Sequence, residues 1–179
     1  MKSSIGFIEY RSVARGLEAT DAMLKNGTVE LVQATVLCPG KFVSMVTGDI
    51  GAVESAVKRG IGYDPTFAIS SFVIPNVHPS VLPALTATTT AAVTGALGII
   101  ETIDASSAVV AGDTAAKNAN INLLEIRLAR GMGGKGFVFL CGELTAVQTA
   151  VRTTEIKIGE EGLLIATSVI ASPHPDLKF

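Results

Sequence analysis

The chain has 179 residues, 48% of them hydrophobic and only 17% charged, with a formal net charge of −2. Mean hydropathy is +0.48, yet no uncharged apolar run approaches the length of about 18 residues that a membrane span needs. The near-neutral balance, the lack of Trp and the 5% aromatic content argue against polyanion binding and against a stacking platform for single-stranded nucleic acid.

The elements read as follows. Met1-Lys2-Ser3-Ser4 leads directly into a strand over 4–9, so no signal peptide is expected. A helix follows, with Val13, Leu17 and Leu24 on one face at spacings of four and seven. Residues 28–37 form a β-branched, largely apolar strand, and a tight Cys38-Pro39-Gly40-Lys41 turn joins it to a second strand over 42–47. Asp49 is placed to cap the next helix, with Ile50, Val53 and Val57 expected to face inward. A strand over 67–74 stops at Pro75, and 86–95 reads as a linker. The order is β-α-β-β-α-β, the split βαβ pattern.

The whole pattern then repeats. Gly6-Phe7-Ile8-Glu9 returns as Gly98-Ile99-Ile100-Glu101. Asp21, Lys25, Asn26 and Leu31 return as Asp113, Lys117, Asn118 and Leu123. After a small insertion, Gly40-Lys41 returns as Gly134-Lys135, and Gly48-Asp49 as Gly142-Glu143. Ala52-Val53 and Ala56-Val57 return as Ala146-Val147 and Ala150-Val151, and His78-Pro79 as His174-Pro175. The order is unchanged, so this is a plain tandem duplication of an α/β (α+β) unit: a first domain over 1–85, the linker, and a second domain over 96–179. If a single-domain ancestor formed a six-membered ring, three tandem chains rebuild it.

Three features, each present twice, carry a resemblance to a known family: Asp-x-x-x-Lys-Asn, the Gly-Asp/Glu-x-x-Ala-Val helix start, and the terminal Val-Ile followed by His-Pro. The chain resembles the bacterial microcompartment shell domain along essentially its whole length, which implies two ferredoxin-like βαββαβ domains, not circularly permuted. Leu37-Cys38-Pro39-Gly40-Lys41-Phe42 and Ile74-Pro75-Asn76-Val77-His78 resemble in particular the tandem-domain, trimeric shell proteins of propanediol-utilisation compartments that carry an iron–sulfur cluster. The resemblance implies a homotrimeric tile of pseudo-hexagonal outline in a shell around cytoplasmic enzymes. Other shell proteins would meet its edges, and encapsulated redox enzymes are further partners. No chemical transformation is expected of the chain itself. The central-strand turns would line a threefold pore: Cys38, Pro39, Gly40 and Lys41 in the first domain, Gly131, Met132, Gly133 and Gly134 in the second. Lys25 with Asn26, and Lys117 with Asn118, would lie at the tile edge.

Cys38 is the sharpest candidate. A free cysteine is usually a small buried hydrophobe, but this one stands at a Pro-Gly turn, and its repeat counterpart lies near Arg130. The resemblance places it at the pore. One loop offers one thiolate, whereas a trimer offers three, which with an outside ligand would complete a [4Fe-4S] cluster, one per trimer. Backbone N–H groups of Gly40 and Lys41, and the Lys41 charge, are expected to act on such a cluster.

The remaining candidates take plainer readings. Cys141, within Phe137-Val138-Phe139-Leu140-Cys141, reads as a packing residue, and two cysteines make no disulfide framework. Gly131 to Gly136 satisfies G-x-G-x-x-G but precedes a strand where a dinucleotide site needs a helix, so it reads as a turn. His78 and His174 sit in separate halves and take structural roles; Glu160-Glu161 sits at a Gly-flanked turn. Two rival readings stand beside the cluster: a purely structural tile or metabolite pore, and a freestanding trimeric ligand-binding or signalling protein.

Overall fold

The computed structural model describes residues 3–128 and 131–177. Arg130, named above as lying near the counterpart of Cys38, falls outside them. The chain forms two compact units, residues 1–77 and 78–179.

In the first unit β1 (Ser4–Tyr10), α1 (Val13–Asn26), β2 (Glu30–Leu37), β3 (Lys41–Gly48), α2 (Ile50–Tyr63) and β4 (Ala68–Ile74) follow one another. The strands make an antiparallel sheet in the order β2-β3-β1-β4. β1 lies inside the sheet and is buried along its full length. Alternation sends its residues to two faces. Ile8 and Tyr10 join Met23, Phe42, Val53 and Val57 in the core beneath the helices. Phe7 instead stacks on Phe72 of β4, with ring centroids 4.7 Å apart. The Tyr10 hydroxyl donates to Gly60 O at 2.5 Å, and burial pushes its pKa up.

The second unit contains a short helix, α3 (Val81–Leu85), then β5 (Ala96–Thr102), α4 (Ala105–Asn118), β6 (Asn122–Leu128), β7 (Gly136–Gly142), α5 (Leu144–Gly159) and β8 (Leu164–Ile170). Its sheet runs β6-β7-β5-β8, the same order as in the first. The same topology in the same sequence order is the duplication seen in three dimensions.

Two readings of buried helix faces need correction. Val13, Leu17 and Leu24 do share a face of α1, but it is the exposed one. The side turned to the sheet carries Gly16, Ala19, Thr20 and Met23. The helix sits close on β3 because these residues are small: a Cβ added at Gly16 would lie 2.5 Å from Phe42 Cδ1. Ile50 is likewise exposed, while Val53 and Val57 face inward as read. Asp49 occupies the N-cap of α2, but its side chain makes no capping bond.

The boundary also moves. Residues 78–95 were assigned above to the end of the first domain and a linker, but they belong to the second unit. Val81, Ala84 and Leu85 are buried, with α3 lying on β6 and α4. The Thr89 hydroxyl donates to Leu123 O at 3.3 Å. Cys141 is fully buried; its sulfur accepts from Thr94 N–H and donates to Ala92 O, both at 3.5 Å. The segment is therefore a cover for the second sheet, held by its own hydrogen bonds.

Candidate functional site

The two turns occupy equivalent places in their units. In the first, Cys38, Pro39 and Gly40 link β2 to β3, and Gly40 takes the left-handed conformation at φ 73°. Cys38 is a free thiol of intermediate burial. A Cβ added at Gly40 would meet nothing within 4 Å, so the turn faces open space beside the thiol. In the second, Gly131, Gly133 and Gly134 all have positive φ, at 72°, 65° and 96°, and β7 begins at Gly136. A tight glycine turn into a strand, with no helix N-terminus behind it, gives a pyrophosphate nothing to bind against. Met132 O closes this turn by accepting from Lys135 N–H at 3.3 Å.

Lys41 does not reach towards the thiol turn's open side as an uncompensated charge. Its Nζ lies 3.0 Å from Glu9 Oε1, and Glu9 Oε2 accepts from the Ser70 hydroxyl at 3.0 Å. Lys135 and Glu101 repeat the pair at 3.1 Å in the second unit. Lys41 is thus ion-paired with a carboxylate of the neighbouring strand. Glu9 shares the Phe7 face of β1, opposite the helices, as alternation requires. Sequence reasoning recorded Glu9 and Glu101 as repeat matches without a role; their co-occurrence with Lys41 and Lys135 was the available signal.

The edge candidates lie at the C-terminal ends of α1 and α4. Lys25 and Lys117 pair with Asp21 and Asp113, each at 2.6 Å and each across one helical turn. Their settings differ, because Asp113 is buried and also accepts from His78 N–H at 2.8 Å, whereas Asp21 is exposed. Asn26 donates to the Ser55 hydroxyl at 2.8 Å, tying α1 to α2; Asn118 donates to Thr114 O within α4 at 2.7 Å. His78 and His174 order local turns: His78 Nδ1 meets the Ser80 hydroxyl at 2.7 Å, and His174 Nδ1 accepts from Asp176 N–H at 3.2 Å. Glu160 closes α5 through its backbone N–H.

The family model described as the BMC domain matches residues 4–77 and again 96–173. The chain belongs to the BMC domain family. A bacterial microcompartment shell protein, PduT, of Citrobacter freundii is 39% identical over 99% of this chain and 96% of its own length. A microcompartment protein from Desulfitobacterium hafniense, known from its crystal structure, is 44% identical, covers 97% of both chains and superposes with a TM-score of 0.94. A carboxysome shell protein, CsoS1A of Hydrogenovibrio crunogenus, is 33% identical over 46% of this chain and 90% of its own, matching a single BMC domain in length. The fused permuted hexameric shell protein of the RMM microcompartment, at 22% identity and a TM-score of 0.66, shares the fold. This chain is a PduT-like structural shell protein with tandem BMC domains in unpermuted order, and its relatives are shell components, not enzymes. Among the described residues no helix is long and apolar enough to cross a membrane.

Proposed function

We propose that the chain forms a homotrimeric, pseudo-hexagonal tile of a cytoplasmic microcompartment shell, and that three copies of Cys38 hold a [4Fe-4S] cluster at its centre for electron passage across the shell. The observation that carries this reading is a half-buried thiol at an open turn between the central strands. Among the described residues no group of three His, Cys, Asp or Glu side chains in one chain is suited to a metal, so a cluster has to draw its ligands from several copies. The donor type fits: thiolates are the ordinary ligands of such clusters, and a Cβ at Gly40 in the same turn would meet nothing within 4 Å.

In this reading the cluster supplies one-electron storage. Cys38 binds, and the turn fixes its position at the end of β2. The Glu9–Lys41 pair anchors the first residue of β3, and with it the turn, while adding no net charge. Backbone N–H groups of the turn are the donors left to tune the sulfurs. Other shell proteins meet the tile at its edges, where Lys25 and Lys117 lie, and enclosed redox enzymes are the electron partners.

The test is iron and acid-labile sulfide per trimer on protein purified without oxygen, with EPR before and after dithionite, in wild type and Cys38→Ser. The expected result is about four irons per trimer in the wild type, lost in a variant that remains trimeric. No iron in either protein, even after reconstitution, would leave a structural tile with an ordinary pore.

A further inference from the structure

The two units are near copies, yet one surface is covered in the second and bare in the first. In the second unit, α4 and β6 are overlaid by α3. The repeat register equates Leu17 with Val109 and Leu31 with Leu123. Leu17 is 57% exposed against 0% for Val109, and Leu31 is 45% exposed against 1% for Leu123. Val13, Leu24 and Val36 follow the same rule, exposed where Ala105, Ala116 and Leu128 are buried. Large apolar side chains at five matched positions are therefore exposed on α1 and β2 of the first unit.

The cover in the second unit enters through a defined turn. His78 N–H donates to the buried Asp113 carboxylate at 2.8 Å, Ser80 N–H donates to His78 Nδ1 at 3.3 Å, and Val81 N–H donates to His78 O at 3.0 Å. Val81 then sits fully buried. The segment after β8 repeats this turn: Asp176 N–H donates to His174 Nδ1 at 3.2 Å and Leu177 N–H to His174 O at 2.9 Å. It includes Leu177, the counterpart of Val81, which is 47% exposed. Asp21, the counterpart of Asp113, is exposed as well. In a single chain the plug is formed and the socket is formed, and both face solvent.

We infer that residues 174–177 of one copy seat on the α1–β2 face of another copy's first unit, with His174 N–H donating to the Asp21 carboxylate and Leu177 covering the apolar face. The occupant is a second copy because the matching contact, with the matching residues, already exists inside the second unit. Plug and socket lie at different places on the chain, so the contact is heterologous and propagates head to tail until a ring closes. This deepens the homotrimer proposed above and rests on it: three such contacts close the ring. It also gives Asp21 a role apart from its pair with Lys25, as Asp113 serves both His78 and Lys117.

The test compares full-length wild type with Leu17→Asp and Leu177→Asp by light scattering across a dilution series, with circular dichroism to check folding. Both leucines are exposed in the single chain, so folding is expected to be unaffected. Burial of a leucine predicts that each change raises the concentration for half-assembly by about tenfold or more. In a Cys38→Ser background, Asp21→Cys combined with His174→Cys is expected to give covalent trimers on oxidation. Variants that assemble at the wild-type concentration would overturn the contact and leave the trimer standing. A wild type that stays monomeric at every concentration would remove the trimer itself, and this contact with it.

Discussion

Glu9 and Glu101 occupy the same repeat position but meet different amounts of water, and that difference sets what each ion pair is worth. The Glu9 side chain is 8% exposed and its partner Lys41 is 30% exposed; Glu101 and Lys135 are more open on both sides. Removing one partner of a buried pair leaves a desolvated charge, whereas an exposed pair contributes little. Glu9→Gln is therefore expected to destabilise the first unit by about 1–3 kcal/mol, discounted from the fully buried case because Lys41 reaches solvent. Glu101→Gln should cost the second unit less. Urea midpoints of the two variants check the order, and equal shifts would mean that burial does not set the energy. The repeat flagged these residues, but their pairing depends on register: β1 and β3 run antiparallel with Glu9 opposite Val43, so Glu9 and Lys41 are diagonal neighbours on one face of the sheet. Cys38 was legible at this scale because Pro-Gly marks a turn wherever it falls.

At the scale of elements, the helix starts show the duplicated halves diverging. Asp104 caps α4 by accepting from Ser107 N–H at 2.7 Å, and Glu143 caps α5 by accepting from Thr145 and Ala146 N–H at 2.9 and 3.3 Å. Asp49, the counterpart of Glu143, makes no such bond. Hydrogen bonding, from the Thr145 hydroxyl first and the backbone N–H groups after it, holds the Glu143 carboxyl below its ordinary pKa. A depressed folded-state pKa gives stability that is present above the unfolded value and lost as pH falls through the folded one. Glu143→Ala should lower the thermal midpoint of the second unit at neutral pH, and the gap from wild type should close as pH drops below the ordinary glutamate range of about 4.3. Asp49→Ala should shift the first unit less at neutral pH. Spacing predicted these helices correctly but misassigned a face of α1. A stripe of Val13, Leu17 and Leu24 satisfies the period of a buried face whether it is buried in its own unit or against another chain. The small residues opposite, Gly16, Ala19 and Thr20, were the cue that the helix lies close to its sheet.

For the whole molecule, the repeat made the architecture legible, since two copies in unchanged order can only be two βαββαβ units in series. Ownership of residues 78–95 was not legible, because a repeat boundary marks where homology ends and says nothing of which sheet the intervening chain covers. Val81→Ala separates the alternatives. Deleting methyl groups from a fully buried valine should cost about 1–3 kcal/mol. Hydrogen exchange should locate the loss: amides of β6 and α4 exchange faster, while those of β1 and β3 keep wild-type protection. Loosening of β1 and β3 instead would return the segment to the first domain. Leu177→Ala is the matched control, because its side chain is exposed in the single chain and has no such cavity to leave. Below the assembly concentration it should leave every protected amide unchanged. Above that concentration it should release amides of α1 and β2, so truncation to alanine at two repeat-equivalent positions is expected to act within one chain at Val81 and between chains at Leu177.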